Sequence, residues 1–279
     1  MIWTEVSGGQ RRSAGLSCAI AGWLAAALLH IPAALGAGAA SQSAAAEIVG
    51  EAFLAGSDQL AYREYLYRNT QGHIHRVVYE LPDGSLLAEK TLAFGEPLSQ
   101  PSFRQQNYFT GRVIGVDVVP AESAPAPLQV AMYHHATGEA MQRTLAPVSD
   151  QRSLVIDAGF DPFIRSKWYS LLQGQKQAIQ FPLASSGRLL DMVVAKTRCA
   201  DGPAQTTCFR IYPDSMLLNL LLRDPVHLVY ENSGARLLTY RGVGNVALAD
   251  GQLPRVEIHY RYPDEPDAAA QMTVIEAAQ

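Results

Sequence analysis

Asp157 stands in the stretch VIDAGFDPF, Val155 to Phe163. Two apolar residues followed by Asp-x-Gly is a pattern that presents a catalytic aspartate on a turn for peptide hydrolysis, and that chemistry needs two carboxylates sharing one proton. The chain carries one such copy, and Ala158 occupies the position where the pattern wants a hydroxyl. The same residues read more simply as a strand, SLVID, then a turn at Gly159, then a helix capped by Asp161 with Pro162 at its first position. Asp157 is then a polar anchor in the turn.

Histidines offer a second chemistry. His73 and His75 alternate on a strand-like run and so share one face, as two metal ligands on a β-barrel would, with Glu80 following. No second matching motif follows downstream, so a solvated hairpin end competes with the metal reading. His134 and His135 point to opposite faces of a strand and chelate poorly. No Gly-x-Ser-x-Gly elbow or Ser-x-x-Lys pair is present, and RGVGNV lacks the Lys of a phosphate-cradling loop. No catalytic residue and no cofactor is assigned. An uncharacterised hydrolase with its residues gathered from distant positions is the third-ranked reading.

Cys199 and Cys208 bracket ADGPAQTT, a loop between two strand-like runs. Two cysteines at the base of one hairpin are placed to pair, which would stabilise the fold by about 2–3 kcal/mol, mainly by restricting the unfolded chain. Free buried thiols or two metal ligands are the rival readings. A bridge implies an oxidising destination, and the N-terminus agrees. Arg11 and Arg12 precede the uncharged run LSCAIAGWLAAALL, which His30 and Pro32 break well short of the about 20 apolar residues of a membrane span. Residues 1–46 therefore read as a signal peptide with a small-residue cleavage region, and 47–279 as one β-rich domain. Export to the periplasm is the expectation, with an uncleaved N-terminal anchor as the alternative and no stable span in the mature chain.

The elements that must position these residues are mostly strands. QLAYREYLYR, HIHRVVYEL and SLLAEKTLAF are separated by Asn69–Gly72 and by Pro82-Asp83-Gly84, the chemistry of tight turns in an antiparallel meander. GEPLSQP interrupts it. GRVIGVDVV, LQVAMYHH and EAMQRTLAPV form a less regular second set around the Pro-rich PAESAPAP. In PRVEIHYRY, Val256, Ile258, Tyr260 and Tyr262 alternate with charged residues, the period of a sheet with one buried face. Two segments look helical, Asp161 to Gly174 and PDSMLLNLLLRDP between Pro213 and Pro225. The second is apolar nearly all round and so belongs in an interior. The expected architecture is α+β: a large curved antiparallel sheet, a half-open barrel, with two short helices on its concave face.

The formal net charge of −4 and the lack of a Lys/Arg cluster exclude nucleic acid as a partner. What remains is apolar surface, read either as ordinary core or as a cavity. A curved sheet and two apolar helices would enclose an apolar or amphiphilic molecule, a lipid for example, lined by Trp168, Leu172, Met216, Leu217, Leu220 and Leu221. YREYLYRNTQGHIHRVVYELPDGSLLAEKTLAF followed by DAGFDPFIRSKWYSLLQG resembles exported bacterial proteins of unknown function. The resemblance implies no activity and no catalytic residues. In organisation alone, the expected sheet and helices are similar to the periplasmic carriers of lipoproteins and lipids. The leading expectation is an exported non-enzymatic binding protein, and the runner-up is an envelope scaffold acting through an exposed strand edge.

Overall fold

A computed structural model describes residues 46–119, 127–199, 205–215, 225–233 and 235–262. Its strands are β1 (Ile48–Leu54), β2 (Leu60–Arg68), β3 (Ile74–Glu80), β4 (Leu86–Ala93), β5 (Ser102–Asn107), β6 (Val113–Val119), β7 (Gln129–His135) and β8 (Gln142–Pro147). They continue with β9 (Ser153–Leu154), β10 (Gln177–Leu183), β11 (Arg188–Thr197), β12 (Thr206–Pro213), β13 (Val226–Glu231), β14 (Leu237–Val243) and β15 (Arg255–Arg261). All fifteen belong to one sheet, in the order β8-β7-β6-β5-β4-β3-β2-β1-β15-β14-β13-β12-β11-β10-β9. Every ladder is antiparallel except β9 with β10.

The expected meander is present, and its turns form as their residues dictate. The Asn69 side-chain oxygen accepts from the backbone N–H groups of Gln71 and His73, and the Asp83 carboxylate accepts from Ser85. Two strands escape the sequence reading. β1, IVGEAFL, precedes the meander and joins its first strand to β15 at the centre of the sheet. β5, SFRQQN, follows the interrupting GEPLSQP. Its inward residues Phe103, Gln105 and Asn107 are buried, so it alternates as a strand with polar side chains on the core side.

The predicted helix from Asp161 to Gly174 forms as two pieces, α1 (Phe160–Ser166) and α2 (Trp168–Leu172), after a 3-10 turn at Asp157–Gly159. Asp161 does not cap it. α1 begins two residues earlier, after Gly159, and Asp161 lies inside the first turn, paired to Arg165 at 3.0 Å. Lys167 interrupts the helix with φ −104° and ψ 10°. Gly174 ends the run at a φ of +81°, which glycine adopts without a side-chain clash. The second predicted helix falls largely on residues 216–224, outside the described residues. Among the described residues no helix is long and apolar enough to cross a membrane.

Two apolar clusters hold the molecule. The larger joins β1–β7 and β15 through Tyr62, Val77, Tyr79, Leu87, Phe103, Val130, Met132 and their neighbours. In the second, Phe163 and Ile164 of α1 and Leu171 of α2 pack with Ile179, Val194, Phe209, Leu228 and Tyr230 of β10–β13. Parts of the chain near the two ends of the strand order also touch. Ser149 N–H donates to the Gln180 side chain at 2.8 Å, and Arg112 donates to the Ser185 carbonyl at 3.4 Å. The opposite face of the sheet carries cross-strand ion pairs. Glu51 accepts from Arg63 at 3.2 Å and Arg261 at 3.3 Å, and Glu257 pairs with Arg241 at 2.7 Å. That face is built for water.

Candidate ligand cleft and a buried charge cluster

Asp157 is a polar anchor, and its partner is 67 residues away in sequence. Both carboxylate oxygens accept from the Lys90 ammonium, at 2.8 and 2.7 Å. Lys90 projects from β4 into the interior, with its side chain only 2 % exposed, and its ammonium lies 5.9 Å from the Tyr79 ring centre and 5.4 Å from that of Phe103. Asp157 holds a φ of 43°, an unusual backbone for a side-chain-bearing residue though one that aspartate tolerates better than most. The turn around it is pressed tightly onto the β4–β5 connection. Ile156 N–H donates to the Ser99 carbonyl at 2.9 Å, and a Cβ on Gly159 would stand 2.3 Å from that same oxygen.

A second carboxylate faces the same interior. Strand register places Tyr79, Glu64, Gly50 and Tyr260 directly across from one another on β3, β2, β1 and β15. Glu64 is 4 % exposed, and Gly50 alone separates it from Tyr260 in this row. Burial raises the Glu64 pKa; the Tyr260 hydroxyl and the Lys90 charge oppose that, and the Asp157 charge adds to it. Burial likewise pushes the Tyr62, Tyr79 and Tyr260 hydroxyls well above their usual range. Gly50 is required here, since a Cβ at that position would lie 2.7 Å from Glu64 Cγ and 3.0 Å from the Tyr260 ring.

The β14–β15 connection enters the same space. Gln105 Nε2 donates to the Asn245 carbonyl at 2.8 Å and Asn107 Nδ2 to that of Ala247 at 2.7 Å, while Val246 is fully buried between them. These amides explain the polar core side of β5, because they satisfy loop carbonyls that burial would otherwise leave without partners. Tyr62 Oη and Gln105 Oε1 are buried without a hydrogen-bond partner.

Of the residues expected to line a cavity, Trp168 and Leu172 are described. Trp168 is half-buried and packs edge-on against Phe209 at 5.3 Å and Tyr230 at 5.7 Å, which touch each other at 5.7 Å. Leu172 is half-buried at the end of α2. Met216, Leu217, Leu220 and Leu221 fall outside the described residues. The Cys199 and Cys208 sulfurs stand at bonding distance, 2.10 Å, at the base of the β11–β12 hairpin. The ring of His73 leans on Phe94 at 5.6 Å and its Nδ1 is buried without a partner, whereas His75 is exposed. Among the described residues no three His, Cys, Asp or Glu side chains gather as a metal site.

A cleft of about 350 Å³ opens between the β4–β5 connection, the chain from Val148 to Leu154, and α1. Leu128, Val148, Leu154 and Phe163 give it apolar walls, and Ser99, Asp150, Arg152 and Lys167 are among its polar residues. Arg152 pairs with Asp214 through Nη2 and lies 3.6 Å from Asp191 through Nε, which leaves Nη1 without a hydrogen bond. Sequence reasoning missed this cleft because its walls come from four separated stretches of chain with no shared pattern.

No family model matches the chain, and comparison with curated proteins and with solved structures returned no match. The functional reading therefore rests on these residues alone.

Proposed function

We propose that this is an exported, non-enzymatic protein that binds a small amphiphile with an anionic head in the cleft beside α1. The observation that carries the reading is the composition of that cleft: apolar walls from Leu128, Val148, Leu154 and Phe163, with the basic residues Arg152 and Lys167 on its polar side. Binding sites for small molecules combine a mostly apolar surface with a few placed polar groups, over about 300–1,000 Å³. A volume of about 350 Å³ sits at the low end of that range, which suits one acyl-chain-sized ligand better than a lipid with several chains.

Chain connectivity supports a half-open barrel as the frame. Laid flat, β8 and β9 would stand at opposite edges of the sheet, separated by roughly 65 Å at ~4.8 Å per strand. Yet only the residues between Pro147 and Ser153 join them, a reach of about 20 Å. Curling the sheet brings the edges together and leaves a seam there, and the cleft residues Val148 to Leu154 are that seam. In this frame α1 and α2 lie on the concave side, against β10–β13. The basic n-region and apolar run in residues 1–46, with the cysteine pair at bonding distance, support export to an oxidising compartment.

Purified protein should yield a co-extracted acidic amphiphile by mass spectrometry, and a fluorescent dodecanoate analogue should bind saturably. Lys167→Glu should weaken that binding by roughly five- to tenfold, the worth of about 1 kcal/mol. No extracted ligand and no saturable binding would overturn the reading. An envelope scaffold is the second reading, favoured by β8, an edge strand exposed along most of its length with Leu145 half in solvent. Crosslinking at Leu145 in whole cells would separate the two.

A further inference from the structure

Among the described residues, the cluster around Lys90 holds two carboxylates, Glu64 and Asp157, and Lys90 is the one cation among the buried residues. The three are not equally free to move. Glu64 and Lys90 belong to strands flanked on both sides by other strands. Asp157 sits in a short 3-10 turn between the two-residue β9 and α1, and at 15 % side-chain exposure it is the nearest of the three to water. We propose that Lys90 and Asp157 form a latch holding the 3-10 turn and α1 to β4, and that ionisation of Glu64 releases it, loosening α1 as the pH rises.

The physical argument is a charge count in a space of low dielectric. With Glu64 protonated, the ammonium of Lys90 and the carboxylate of Asp157 form a neutral pair. With Glu64 ionised, the same space contains two negative charges and one positive, and an unpaired buried charge is costly. Among the described residues, the groups that face Glu64 offer no second cation. They are Tyr62 on its own strand, Tyr79 from β3, Lys90 from β4, Asp157 from the 3-10 turn, Tyr240 from β14 and Tyr260 from β15. The tyrosines are held neutral by burial. Relief comes from the member that can leave, and withdrawal of Asp157 toward water draws α1 with it.

Burial holds the Glu64 carboxyl above its ordinary range, so in the closed state it keeps its proton to higher pH than in an opened one. A carboxyl whose pKa is raised by closure favours the closed state at low pH, and the advantage is lost as pH rises through the raised value. Each pKa unit of difference between closed and open forms changes the opening equilibrium about tenfold. The consequence reaches the cleft, because α1 supplies Phe163, Ser166 and Lys167 to it. The latch itself does not depend on whether a ligand binds there.

The test is amide hydrogen exchange on the full chain without ligand, followed in peptides covering residues 155–172 from pH 5 to 9 and corrected for intrinsic rates. Wild type should lose protection in α1 as the pH rises, while peptides from β2 and β3 stay protected. Glu64→Gln should remain protected throughout. Tyr260→Phe removes the hydroxyl that favours ionised Glu64, so its transition should move to higher pH. The Tyr260 variant decides the matter if Glu64→Gln fails to fold. Protection that does not change with pH in wild type, a Glu64→Gln profile identical to wild type, or an unmoved transition in Tyr260→Phe would each overturn the latch. Absence of amphiphile binding would overturn only the ligand reading.

Discussion

Lys90→Met keeps the length of the side chain and removes its charge, which isolates the electrostatic role of the pair with Asp157. Deleting one partner of a buried ion pair costs about 3–5 kcal/mol, because the other charge stays behind without compensation. Asp157 is 15 % exposed and can draw in water, which puts the expected loss near the lower end, about 3 kcal/mol. With a urea m-value of about 2–3 kcal/mol/M, the denaturation midpoint should fall by about 1–1.5 M. Glu64 loses its facing cation in the same variant, so the loss should grow as pH rises from about 4, where carboxyls take up protons, toward neutrality. Lys90→Met combined with Asp157→Asn leaves no charge on either side and should recover more than half of the stability. Urea melts of the three proteins at pH 4.5 and 7.5 measure all of this. A Lys90→Met loss below about 1 kcal/mol, equal at both pH values and unaffected by Asp157→Asn, would refute the reasoning.

Gly50→Ala should destabilise by about 1–3 kcal/mol in the same melts, since the new methyl meets Glu64, Ile258 and Tyr260 at or below 3.0 Å, in a row where the strands leave it no room. Replacing Cys199 and Cys208 together with alanine should lower stability by about 2–3 kcal/mol, and a reductant should then have no further effect on the melting temperature.

Strands with a clean alternation were legible, and β15 is the plainest case: Val256 and Ile258 face the core while Arg255, Glu257 and His259 face water or half-water. β5 was not legible, because Gln105 and Asn107 occupy inward positions where the pattern asks for apolar residues. Their role appears only once the β14–β15 connection, 140 residues away, presents the carbonyls they bind. β1 was missed for a similar reason, since its central glycine is explained by Glu64 and Tyr260 on the flanking strands. Asp157 was recognised as a turn anchor from its neighbours, but nothing local names Lys90. The cysteine pair was legible because its geometry is that of one hairpin. The cleft was not, because four separated stretches of chain contribute to it and no pattern in the sequence links them. Asp161 was misread as a cap because Pro162 fits a first helical position in isolation. In the chain Gly159 takes the cap position before Phe160, and Asp161 bonds one turn ahead to Arg165.

The pairing of β1 with β15 has a consequence for synthesis. Apart from this ladder, each strand pairs with a neighbour in sequence, so eight strands can zip into one meander and the later strands into another as they emerge. The two can join only when the last strand exists. Until then β1 presents a bare row of N–H and C=O groups, the template on which unfinished chains aggregate. A chain ending before Arg255 would keep that row permanently and open a second one on β14. Loss of a single terminal strand therefore produces two half-sheets with sticky inner edges, and such a product should be found in the insoluble fraction.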